Sequence, residues 1–169
     1  MKARAVVVGD ITTAKALKTK LGSVVPTDEE FRQAFEIASV SKASLARYYL
    51  RSLEMRAKGE ANPWFIPNDD RLTINLEHVF PVHPEGKWPE FDDEAARTYV
   101  RRIGNLALLT ATSNSDLQSL DFKTKKSVYK GTPYELTRQI AGLAEWTPAQ
   151  IAERQKTLAK LAVHTWPLG

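Results

Sequence analysis

The chain has 169 residues, 43% of them hydrophobic and 26% charged, the balance of a soluble globular protein with one real core. It contains no cysteine, which excludes disulfides, zinc ribbons and thiol nucleophiles. The 24 basic residues against 20 acidic ones leave a net charge of +4, compatible with a polyanionic partner without requiring one.

The basic start Met1-Lys2-Ala3-Arg4 precedes only a short apolar run, Ala5-Val6-Val7-Val8. A secretory core is longer, so no signal peptide is expected. No stretch has the length and apolarity of a membrane span, and the expected location is cytoplasmic. A helix is predicted over 11–21 with Gly22 as its stop. Thr27 to Glu30 forms a capping box ahead of Phe31, Ala34, Phe35 and Ala38 at helical spacing. A second amphipathic helix carries Leu45, Tyr49 and Leu53 and closes at Gly59.

Turn residues make 62–70 a loop, with Trp64 and Phe65 as anchors. Leu72, Ile74 and Leu76 alternate with polar residues, a short strand running into Glu77-His78. Pro81 ends it, and Pro84, Gly86 and Pro89 keep the next stretch irregular. Asp92 can cap a helix to about 102. A second strand is expected over 105–110, then a polar turn over 114–119 and a helix over 120–130. Gly131, Thr132 and Pro133 break that helix, and another follows over 134–144. Thr147-Pro148-Ala149-Gln150 reads as a further capping box with proline first in the helix. The last helix places Ile151, Leu158, Leu161 and Ala162 on one face. The fold class predicted is α+β, mostly helical, with one small antiparallel hairpin.

Three pieces stand out in order: Leu76-Glu77-His78-Val79-Phe80-Pro81, then Ile103-Gly104-Asn105-Leu106-Ala107-Leu108-Leu109, then Ser113-Asn114. They supply a histidine that titrates near neutrality, a carboxylate and two carboxamides. The oxygen donors among these suit a hard cation. Together the pieces resemble the HNH, or ββα-metal, endonucleases. The closer likeness is to the C-terminal nuclease domain of the GmrSD-type, modification-dependent restriction proteins. Trp88 and the segment Asp121-Phe122-Lys123-Thr124-Lys125-Lys126 fit the same pattern, as do Arg47-Tyr48-Tyr49-Leu50 and Trp146-Thr147. The resemblance runs from Thr27 to the end, which leaves 1–26 as a lead-in and 27–169 as the nuclease domain.

The resemblance implies a ββα-metal hairpin-helix embedded in a helical domain. It implies a metal-dependent DNA endonuclease whose setting is defence against phage or other foreign DNA, with 5′-phosphate and 3′-hydroxyl products. Family members usually carry this domain behind a nucleotide-hydrolysing one. No G-x-x-x-x-G-K-[ST] loop is present here, so that activity is expected from an absent domain or partner protein. Within the resemblance His78 is the general base, and Asn105 holds the histidine loop through its amide. Glu77 and Asn114 bind one Mg2+ or Mn2+ ion, with Asp116 as substitute for Asn114. The plain alternatives are a strand-end histidine, a solvated glutamate, a turn asparagine and a helix cap. Lys123, Lys126 and Lys130 fall on one helical face, with Lys125 nearby, and form a candidate phosphate-contact stripe or a solvated face. Arg101 and Arg102 are similar candidates. His83 reads as a loop residue and His164 as structural or exposed. A module that binds DNA without cutting, and a nuclease directed at RNA, stay open as alternatives.

Overall fold

The computed structural model describes residues 9, 11–22, 24–61, 74–110, 117 and 119–167. Asn114, Asp116, Trp64 and Phe65 lie outside the described residues, as does most of the expected loop over 62–70. The described elements run α1 (Ala14–Leu21), α2 (Asp28–Glu36), α3 (Ala43–Ala57), β1 (Ile74–His78), α4 (Asp93–Tyr99), a 3-10 turn (Ile103–Asn105), β2 (Leu106–Thr110), α5 (Phe122–Gly131), α6 (Glu135–Ala141) and α7 (Pro148–Thr165). The expected α+β class, with helix dominant and one antiparallel hairpin, is what forms.

Local capping chemistry sets several helix starts. Thr27 accepts from the Glu30 amide while the Glu30 carboxylate takes the Thr27 amide, a complete capping box. Asp92 and Asp121 cap α4 and α5 through the Ala95 and Thr124 amides. The box expected at Thr147 does not form. Its hydroxyl donates to the Gln150 side chain and accepts no helix amide, and Pro148 stands at the start of α7. Helix α4 ends at Tyr99 rather than 102, because the chain turns into the 3-10 segment that begins at Ile103.

The hairpin pairs Ile74 with Thr110 through to His78 with Leu106. Two strands alone are marginal in water, so the stability of this hairpin comes from what covers it. Strand β2 reads Leu-Ala-Leu-Leu-Thr because both its faces are buried. Leu106 and Leu108 enter a core with Phe35, Leu50, Leu53 and Leu158. Ala107 and Leu109 enter a second core with Phe80, Trp88, Tyr129, Ile140 and Trp146. The end of β1, where His78 sits, thus rests against packed structure.

Candidate active site

Strand β1 ends at His78, and the chain turns through Val79 and Phe80 before Pro81. The turn is held from two sides. On one side Asn105, fully buried, uses its whole amide: Oδ1 accepts from the Phe80 amide at 2.8 Å and from Trp146 Nε1 at 3.0 Å. Its Nδ2 donates to the Phe80 carbonyl at 2.8 Å and the Val100 carbonyl at 3.0 Å. Two donations and two acceptances exhaust a carboxamide, and an aspartate could not make the donations. The Asn105 carbonyl also receives the Val79 amide at 3.0 Å.

Gly104 explains why the turn can reach this place. A Cβ there would lie 2.3 Å from the Ile151 carbonyl oxygen and 2.9 Å from Gln155 Cβ. Only glycine lets the 3-10 turn lie this close to α7. Gln155 then accepts the Gly104 amide at 3.0 Å and donates to the carbonyls of Phe35 and Ala38. Arg154 Nη1 takes the carbonyls of Gly104 and Leu106 at 2.7 and 2.8 Å.

On the other side lies Lys125 of α5, with no solvent exposure. Its Nζ donates to Glu77 Oε1 at 2.7 Å, to the His78 carbonyl at 2.9 Å and to the Val79 carbonyl at 3.1 Å. Tyr129 Oη donates to the same Glu77 oxygen at 3.0 Å. Three acceptors around one Nζ require three hydrogens, so the lysine is an ammonium and Glu77 its carboxylate. Burial raises the Glu77 pKa, and the Lys125 charge and the bonds from Lys125 and Tyr129 oppose the rise.

His78 is half-buried and borders a cleft of about 460 Å³ together with Glu77, His83, Glu85 and Ser119. Burial, then the positive charges of Lys125 and Arg101, lower its pKa from 6.5 to about 4. The ring is neutral at pH 7, and a neutral imidazole carries a lone pair that can accept a proton. Across the cleft, Pro84 to Lys87 make a tight turn closed by the Lys87 amide on the Pro84 carbonyl at 3.0 Å. Its central residues Glu85 and Gly86 both have positive φ, 49° and 71°. The Glu85 carboxylate is held low in pKa by Ser119, then by Lys87.

The structure brings His78, Glu77 and Asn105 to one hairpin end. The expected lysine stripe divides. Lys125 is a correction: it does not face solvent beside Lys123 but lies on the inward stripe with Phe122 and Tyr129, its charge spent on Glu77 and two carbonyls. The signal was there, since Phe122, Lys125 and Tyr129 fall at i, i+3 and i+7. Lys126 is half-buried, bonded to the Leu143 carbonyl and over the Phe122 ring. Lys123 and Lys130 are exposed. Arg102 is turned to the Glu36 carbonyl and the Tyr99 ring, whereas Arg101 is exposed and close enough to act on His78. His83 and His164 are exposed, and Trp88 is a core residue.

The carboxylate keeps Oε2 outside the bonds to Lys125 and Tyr129 and borders the cleft. Among the described residues no three of His, Asp and Glu gather as a metal site. A cation at Glu77 Oε2 would sit beside the Lys125 ammonium and would take its other ligands from water or from outside the described residues.

These features define an α+β domain whose hairpin carries a neutral histidine to the edge of a cleft. The family model of the GmrSD restriction endonucleases, C-terminal domain, matches residues 25–161, and the chain belongs to that family. No curated protein matches it. Among the described residues no helix is long and apolar enough to cross a membrane.

Proposed function

We propose that the chain is an HNH-type, metal-dependent DNA endonuclease that hydrolyses phosphodiesters at the His78 cleft. The observation that carries the reading is the neutral, cleft-facing imidazole at a turn whose backbone is fixed by the Asn105 amide, in a chain of a restriction-endonuclease family. His78 takes a proton from a water as its oxygen attacks phosphorus. The bond from phosphorus to the 3′-oxygen breaks, that oxygen takes a proton from solvent and His78 later returns its own to solvent, leaving a 5′-phosphate and a 3′-hydroxyl. Asn105 keeps the ring where that proton is. A Mg2+ or Mn2+ ion held by Glu77 Oε2 and Asn114 would supply positive charge against the phosphate and the leaving oxygen. Exposed Lys123, Lys130 and Arg101 would contact phosphates without reading sequence.

The reading is of a cytoplasmic nuclease module in a restriction or antiviral system, working with a nucleotide-hydrolysing domain or partner protein. Its test is cleavage of supercoiled plasmid with magnesium, manganese or EDTA. Nicking with either ion and none with EDTA is expected, and the rate at subsaturating DNA should fall steeply with salt. Cleavage undiminished by EDTA would overturn the metal. Binding of plasmid without any cutting would point to a non-catalytic DNA-binding module, and cutting of RNA alone would change the substrate.

A further inference from the structure

Among the described residues Lys125 is the only lysine that is buried, and it lies beneath the hairpin end rather than on a surface. An ammonium out of water is costly unless its hydrogens and charge are matched. Here each N–H meets an oxygen, and the Trp88 ring lies 5.8 Å away. An apolar side chain of similar length would fill the same space without that cost, so packing alone does not account for a lysine. The three oxygens all belong to the segment that ends β1. One is the Glu77 carboxylate, and the others are the carbonyls on either side of the Val79 amide. That same amide and the next are fixed by Asn105 from the opposite side. The turn after His78 is therefore clamped: amides by Asn105, carbonyls by Lys125.

Building on the nuclease reading, we propose that Lys125 is a positioning residue of the cleft. Its ammonium locks the main chain at His78 and the rotamer of Glu77, so that the imidazole meets the scissile phosphate in one geometry. Lys125 itself touches no DNA. Its partners come from 46 to 48 residues away, so helix α5 is what completes the hairpin's active end.

The test compares wild type with Lys125→Met, which keeps the length and removes the charge. Single-turnover and steady-state cleavage are measured together with amide hydrogen exchange. Misplacing a base by about 1 Å costs roughly 100-fold, so kcat should fall by about that factor. KM for DNA should stay within about twofold, because no ground-state contact is lost. Exchange protection at Val79 and Phe80 should drop by about tenfold while that at Leu53 of the first core and Ile151 of the second holds. A raised KM with unchanged kcat would overturn the proposal in favour of a phosphate contact. A uniform loss of protection across both cores would reduce Lys125 to a stability element. Should the methionine variant fail to fold, Lys125→Arg keeps the charge without the three-point grip and takes the same measurements. If wild type cuts nothing, the nuclease reading fails, and the exchange comparison alone still decides whether Lys125 holds the turn.

Discussion

His78 is tuned by where it sits. An ordinary histidine titrates near 6.5, but this one is lowered to about 4, first by burial and then by Lys125 and Arg101. The sign follows from linkage. As pH falls below about 6.5 the unfolded chain takes up a proton that the folded chain refuses until about 4. The neutral imidazole thus contributes stability that is present above 6.5 and lost toward 4. On the proposed function, kcat/KM at saturating metal should show no acid limb near 6.5. A limb at 6.5 in the pH–rate profile would contradict a buried, neutral base. Lys125 shows the limit of reading at this scale. The letters Asp-Phe-Lys-Thr-Lys-Lys look like a basic surface run, and only the placement of Phe122 and Tyr129 in the core reveals which lysine is turned inward. Asn105 is similar. Its type permits both a turn and a tether, and the bonds to Phe80 and Val100 decide between them only in three dimensions.

Elements whose signals are local were legible in the sequence. The Thr27 capping box and the Asp92 cap close within three residues, so the residues that make them are also the residues that announce them. The Thr147 pattern has the same form, with Gln in place of Glu, and a different outcome: its hydroxyl bonds the Gln150 side chain and takes no helix amide. The 3-10 turn over Ile103–Asn105 was not legible. It exists because Gln155 and Arg154, about 50 residues later, take the polar groups of Gly104. Gly104→Ala tests this packing, since its methyl would collide with the Ile151 carbonyl. Overpacking of this kind should cost about 3 kcal/mol. In a chain of this size that lowers the melting temperature by roughly 10 °C. Urea and thermal denaturation measure it, and a change below about 0.5 kcal/mol, the range of neutral surface substitutions, would mean that the turn is not held against α7 as described.

Across the whole molecule, two cores share β2, and the histidine turn hangs from the strand beside it. The first core fixes the hairpin to α2, α3 and α7. The second fixes the turn to the aromatic group of Phe80, Phe91 and Trp88, with Phe80 and Phe91 stacked at 3.9 Å. That division leaves one face of the hairpin end for a cleft and surrounds the rest with rigid structure, the arrangement that precise positioning needs. The α+β class was readable from the alternation around β1 and the helical stripes. The double burial of β2 was visible only as a Leu-rich run. In the proposed function His78 is the group that activates water at this cleft. Supercoiled-plasmid nicking by His78→Ala, checked for native folding by circular dichroism, tests this most directly against wild type with magnesium or manganese present. The prediction is a fully folded variant whose nicking rate is lower by about 100-fold or more, the scale of a lost general base. Equal nicking by the two proteins would place the chemistry elsewhere.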